Sequence, residues 1–388
     1  MPAAHEEAGS DEGRHTAGSP GTGPDGADHR GLRRRLREPS AGLQRARRNR
    51  AVAGWLAMGL VVAATLLPTH FVVESAGPAL NTIGSVEGTP MVSISGKKTY
   101  PTAGELDMTT VYVQGGGEKR LPFFNVLWGW ADPKQDVVPE EMVLPRGTTS
   151  SEQGEQNTVM MDDSQQLSTA AALTELGIEF SSHLSVVGFA TQQNAETLKN
   201  GDRLEAINGK KIGDLDMLKS QLDAADQAPS KLGIIRDKKE ETVTVTTTPG
   251  ESGQRQMGIL LSGSFDFPLS VTFGVENIGG PSAGMMFSLA IIDQLTEGEM
   301  TGGKHFAGTG AITVDGKVEP IGGIAQKLVG ANAQGAQYFL APADNCPDVR
   351  GRIPSGLDVI KVATLGEARA AVEGIGAGKD PASFPGCG

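Results

Sequence analysis

Cysteine and histidine are scarce in this 388-residue chain, which has two of the first and six of the second. Only His183 and His305 lie well inside the region after Glu74, too few ligands for a metal centre built on thiolates and imidazoles. The pattern Gly-x-x-x-x-Gly-Lys-Ser/Thr occurs nowhere, which excludes a nucleotide-driven motor within this chain. Large apolar side chains are nearly missing from the first 30 residues, where Gly, Pro, Ser, Glu and Asp dominate. Such a segment cannot bury enough surface to fold and is expected to be a disordered tail. Acids are almost missing between Arg30 and Arg50, with Glu38 alone among many arginines, and charge is missing altogether from Ala51 to Leu67.

These last two absences belong together. Counted on through Phe71-Val72-Val73, the uncharged run reaches the ~20 residues that a helix needs to cross a bilayer. The arginines before it predict a cytoplasmic N-terminus, a single pass through the cell membrane, and an extracytoplasmic body from about Glu74 onward. A nucleic-acid-binding arm is the other reading of the basic run. A cleaved signal peptide ending near Glu74-Ser75-Ala76-Gly77 is the other reading of the apolar one. With net charge −12, the rest of the chain is acidic, and no nucleic-acid partner is expected. On the exported side, Cys346 and Cys387 suit a disulfide that pins the C-terminal tail, the alternative being two free thiols.

Beyond the anchor, Met91–Ser95 and Met108–Val113 read as strands, and Phe123–Trp130 as a helix or a membrane-proximal packing surface. A polar loop is expected over Gly147–Gln156, then a helix over Met160–Leu176. From Ser182 the chain reads as short strands around one helix. Asn208-Gly209 marks a hairpin, Leu215–Leu222 a helix, and Asp237-Lys238-Lys239-Glu240 a charged turn between two further strands. The block Asn200-Gly201-Asp202-Arg203-Leu204-Glu205-Ala206-Ile207-Asn208-Gly209-Lys210-Lys211-Ile212 ahead of a helix resembles a bacterial PDZ domain. That resemblance implies capture of peptides by strand addition, with a carboxylate-holding loop between Leu176 and His183. A scaffold that only spaces or gates a neighbouring site is the alternative.

Two further segments carry chemistry. Leu269–Val275 reads as a strand leading into Gly279-Gly280-Pro281-Ser282-Ala283-Gly284 and an apolar helix, with Pro281 at the first helical position. Ser282 is then either a helix cap or a nucleophile beside free N–H groups and the positive end of a helix dipole. Phe306–Val318 reads as a hairpin turning at Asp315-Gly316, and a helix follows with Ile324, Lys327 and Ala331 on one inward face. A lysine held in a dry pocket loses proton affinity and can deprotonate a serine. His305 is expected to be a surface-loop residue, with a Ser–His–Asp triad as the minor reading.

The stretch from about Leu269 to Pro342 resembles the proteolytic domain of the Lon family of serine–lysine endopeptidases, through Gly279–Gly284, Gly308–Lys327 and Gly335–Pro342. The resemblance implies Ser282 as nucleophile, Lys327 as general base and Thr309 as a hydroxyl that holds the lysine, with no metal and no cofactor. ATP-dependent members carry an acid three residues before the serine and a glutamate where Ala311 stands. Gly279 and Ala311 leave this chain without either.

The expected fold is an α/β (α+β) Lon-type domain plus a PDZ β-sandwich-like domain after one transmembrane helix. Its parts are a basic tail (1–50), the anchor (51–73) and a membrane-proximal region (74–180) that begins the protease domain. The PDZ insertion (181–250), the protease proper (251–375) and a tail (376–388) follow. Expected partners are membrane lipid through the anchor and polypeptides with flexible segments or exposed C-termini. ATP is not expected as a partner, and the resemblance also implies a homo-oligomeric ring. The competing class is a catalytically silent surface protein that binds peptides on a protease-like fold.

Overall fold

The computed structural model describes residues 41–387, apart from 87, 145–146, 214, 251–252 and 275–277. Most of the basic tail and Glu276-Asn277 therefore lie outside the described residues. The chain divides into residues 1–61 and residues 62–388. Helix α1 (Ala41–Leu66) contains Arg45–Leu66, 22 residues long and apolar enough to span a membrane. The arginines from Arg45 to Arg50 are thus helical. The helix stops earlier than the hydrophobic run does. Pro68 has no N–H to donate and disfavours helical backbone at Leu67. Phe71-Val72-Val73, assigned above to the span, instead opens strand β1 (Phe71–Asn81), where Val72 and Val73 are buried.

From β1 the chain lays down β2 (Glu105–Gln114), helix α2 (Phe123–Ala131), β3 (Asp136–Pro139) and the long helix α3 (Ser150–Glu175). Helix α3 starts well before Met160. Thr149 accepts the Glu152 N–H while the Glu152 carboxylate accepts the Thr149 N–H, a capping box that makes helix of the expected loop.

A second sheet follows, of β4 (Ser181–Phe189), β5 (Arg203–Ile207), β6 (Ser230–Arg236), β7 (Lys239–Val245) and β8 (Ile259–Asp266), in the order β7-β6-β5-β4-β8. Helix α4 (Leu215–Ala225) joins β5 to β6, and Leu218 and Leu222 help fill a core separate from the rest. Asn208 and Gly209 both take positive φ in the hairpin turn, and Asp237-Lys238 do so between β6 and β7. Strand β8 lies beyond Gly250, so this sheet closes later than the 181–250 boundary. Ser181–His183 is already paired to β8, through Ser182↔Phe265 and His183↔Ser264, and forms no loop for a carboxylate.

The chain then returns through helix α5 (Gly284–Leu295), β9 (His305–Gly308), the short pair β10 (Ala311–Ile312) and β11 (Val318–Glu319), helix α6 (Ile324–Ala333), β12 (Tyr338–Pro342), β13 (Asp358–Val362) and helix α7 (Leu365–Gly376). The main sheet has the order β13-β12-β9-β2-β1-β3, with β9 parallel to both β2 and β12. Strands from before and after the second sheet thus share one main sheet, and the second sheet is inserted between α3 and α5. The expected hairpin over Phe306–Val318 shrinks to β10–β11 around the Asp315-Gly316 turn. Phe306–Gly308 is taken up by parallel partners in the main sheet instead.

Helix α5 is buried from Gly284 to Asp293, packed against α3 and the main sheet. At the far edge, Cys346 and Cys387 form a disulfide across a separation of 41 residues, and both are buried. Its loss through paired Cys346→Ser and Cys387→Ser changes is expected to lower unfolding stability by about 3–4 kcal/mol. The urea midpoint under oxidising conditions measures this, and an unchanged midpoint would show that the tail holds without the bond.

Candidate active site

The serine turn is clamped from two sides. On one, the Gly280 N–H donates to the Asn157 carbonyl (2.9 Å) and the Ser164 hydroxyl donates to the Pro281 carbonyl (3.1 Å), both from α3. On the other, the Ser282 carbonyl accepts the Gly310 N–H (2.8 Å) and the Thr309 hydroxyl (3.0 Å). A β-carbon on Gly310 would lie 2.7 Å from a Val318 methyl, so only glycine passes there.

Helix α5 begins at Gly284, not at Pro281, and Ala283 is its N-cap residue with no side-chain cap bond. Ser282 is therefore not a helix cap. Its hydroxyl faces a lysine. Among the described residues, the Ser282 and Ala283 N–H groups have no hydrogen-bond acceptor.

Lys327 comes from α6, whose residues Ile324, Leu328 and Ala331 bury the same side against the sheet. Gly323 starts this helix at φ 67°, and a β-carbon there would meet Val111 of β2 at 2.8 Å. That close approach lets α6 lie flat on β1 and β2.

The Lys327 Nζ donates to Ser282 Oγ at 2.8 Å and to Thr309 Oγ1 at 2.8 Å. Lys327 is 2% exposed, and burial lowers its pKa from 10.5 to about 7. Both of these partners of Nζ are neutral hydroxyls. At neutral pH a large share of the amine is thus neutral, and Ser282 Oγ–H can donate to it in reverse.

Glu74, on β1, is the residue that sequence reasoning missed. Its carboxylate approaches the start of α6, with Oε2 3.4 Å from where a Gly323 β-carbon would stand. Burial first, then the charge of Asp136, raises its pKa, while Lys327 opposes the rise. In turn the charge of Glu74 holds the lysine pKa up. Glu74→Gln is therefore expected to move the acid limb of any Lys327-dependent rate to lower pH, by about half a unit to one unit. A limb that stays put or moves up would remove Glu74 from this role.

Ser282, Lys327 and Thr309 are thus brought together, while the remaining histidine is not. His305 opens β9, where Nε2 is hydrogen-bonded to Asp107 (2.8 Å) and faces Glu105 (3.2 Å), so it is a strand residue rather than a loop residue. The minor reading, a Ser–His–Asp triad, therefore fails at this serine. A cleft of about 520 Å³ opens over Ser282 and Lys327, lined along one side by Thr110, Val111 and Tyr112 of β2. Strand β9 pairs with β2 only as far as Met108, so β2 presents an open edge to that cleft.

Residues 238–371 match the Lon protease (S16) C-terminal proteolytic domain. The chain is similar to the Lon protease of Roseiflexus castenholzii, 30% identical over 162 residues, or 40% of this chain and 20% of that protein. It is 32% identical to the Lon protease of Rhizobium meliloti over 140 residues, 35% and 17% of the two chains. It therefore spans about a fifth or less of the length of these relatives. Among solved structures, the PDZ domain of an SdrC-like protein from Listeria monocytogenes is 18% identical, covering 20% of this chain and 85% of that one. Its TM-score is 0.19, at which the likeness carries no argument.

Proposed function

We propose that this chain, which carries a Lon-type proteolytic domain, is a membrane-anchored serine endopeptidase that cleaves extracytoplasmic polypeptides without ATP. The observation that supports it most is the 2.8 Å contact between a buried, largely neutral lysine and the hydroxyl of a clamped serine. A silent peptide-binding protein has no use for a lysine buried at such cost.

In this reading an extended substrate segment lies along the open edge of β2 and brings a carbonyl carbon to Ser282 Oγ. Lys327 Nζ takes the hydroxyl proton as Oγ attacks, and Thr309 holds Nζ in line through its own hydrogen bond. The Ser282 and Ala283 N–H groups are placed to receive the developing oxyanion. Lys327 returns the proton to the leaving amine, and the lysine, neutral again, then activates the water that hydrolyses the acyl-enzyme. The second sheet supports a peptide-capturing role through its open edge at β8, where one more strand can add. With no unfolding motor in the chain, substrates are flexible or unfolded segments.

The test is hydrolysis of an unfolded polypeptide by the full chain in detergent or nanodiscs with no nucleotide present. Cleavage is expected between about pH 7 and 9, unchanged by added ATP, while a tightly folded protein survives. A nucleotide requirement, or no cleavage in that range, would overturn the proposal.

A further inference from the structure

Helix α2 packs one face tightly and leaves the other bare. Val126 and Gly129 are buried against the main sheet, and a β-carbon on Gly129 would lie 2.8 Å from a Val137 methyl. On the opposite side Phe124 (56%), Leu127 (42%) and Trp128 (63%) are exposed, and Trp130 (55%) is exposed at the flank of the buried face. Phe124, Leu127 and Trp128 follow the i, i+3, i+4 spacing of a single helix stripe. Trp130 is steadied by an edge contact with Phe71 at 5.8 Å. No charged residue occurs from Phe123 to Ala131. An apolar face of this kind on a soluble body marks an interaction site.

Its partner is indicated by where the helix starts. The Phe123 N–H donates to the Leu67 carbonyl at 2.9 Å, and the Thr69 N–H and hydroxyl both donate to the Leu121 carbonyl at 2.9 Å. Pro68 and Pro122 are also bridged. Leu67 is the first residue after α1, so the bare face of α2 begins within one residue of the point where the candidate span ends. At ~1.5 Å per residue, the nine residues of α2 reach about 13 Å from that point.

Tryptophan distribution agrees. The chain has three tryptophans, Trp55 within α1 and Trp128 and Trp130 within α2. Tryptophan favours the membrane–water interface, where an apolar ring and a polar N–H are both accommodated.

We propose that α2 is an interfacial helix whose Phe124, Leu127, Trp128 and Trp130 enter the headgroup region of the bilayer beside the anchor. This inference rests on the reading of α1 as a membrane anchor. The consequence is a second, non-spanning contact that holds the main sheet at the membrane surface, since α2 is packed on β1 and β3 and cannot tilt independently of them.

The test is tryptophan quenching by brominated phospholipids in the full chain reconstituted into phosphatidylcholine–phosphatidylglycerol vesicles. In Trp55→Phe only Trp128 and Trp130 emit. Their emission is expected to fall with bromine near the headgroup, by about twofold more than with bromine near the chain ends. Trp128→Phe with Trp130→Phe leaves Trp55 as the control for the anchor. If Trp55 is quenched while Trp128 and Trp130 are not, α2 is covered by another surface, such as a second copy, and the interfacial role fails although the anchor stands. If Trp55 also escapes quenching, the anchor reading fails and takes this proposal with it.

Discussion

Ser282→Ala and Lys327→Ala are each expected to reduce peptide-bond hydrolysis by about 10⁴-fold or more, and the double variant to lose little beyond either alone. The reason is geometric. The only hydrogen bond that Ser282 Oγ makes among the described residues is with Lys327 Nζ, so removing either partner removes the same proton transfer. Thr309→Val should lose less, because Thr309 acts through Nζ and through the Ser282 carbonyl rather than on substrate. Initial rates on an unfolded substrate measure all four variants. Strictly additive losses for Ser282 and Lys327 would mean that the two side chains act separately.

Lys327→Met is expected to abolish activity and yet stabilise the protein at neutral pH by roughly 2–4 kcal/mol. The folded-state pKa of about 7 lies below the unfolded value of 10.5, so between these values the unfolded chain binds more protons than the native one. Native stability therefore rises with pH across that window, and below about pH 7 the full penalty for burying this lysine is present. The fall from 10.5 to about 7 corresponds to about 5 kcal/mol at most, from which the lost hydrogen bonds to Ser282 and Thr309 subtract. The gain should vanish near pH 10.5, where the unfolded lysine is itself half neutral. Urea unfolding at several pH values measures it. A variant less stable than the parent at pH 7 would place a charged, compensated lysine at this position.

The site was legible where chemistry and sequence spacing coincide, and opaque where it depends on a distant strand. Ser282 and Lys327 could be picked from a Gly-rich turn and a polar residue on an apolar helix face. Glu74 could not, because nothing local distinguishes it, and only the packing of α6 across β1 brings its carboxylate near. The Lon-type match begins at residue 238, so it too leaves out β2, at the centre of the main sheet, and β1 beside it, which together line one wall of the cleft.

Three differences in the fold have causes of both kinds, local and distant. Hydropathy alone carried the span to Val73, but Pro68 ends the helix and the two valines enter a sheet core. The polar run before Met160 reads as loop by composition, while Thr149 and Glu152 carry the spacing of a capping box. Phe306–Gly308 alternates as a hairpin arm would, yet its partners lie some 200 residues upstream and about 30 downstream in β2 and β12, beyond the reach of any local pattern.

The most direct test of a neutral lysine acting on Ser282 is the pH dependence of Ser282 acylation by a fluorophosphonate, followed by intact mass. The rate should rise with a midpoint of about 7, the pKa to which burial brings Lys327, and should nearly vanish in Lys327→Ala. A midpoint close to that of an ordinary lysine, or equal labelling in Lys327→Ala, would contradict the account.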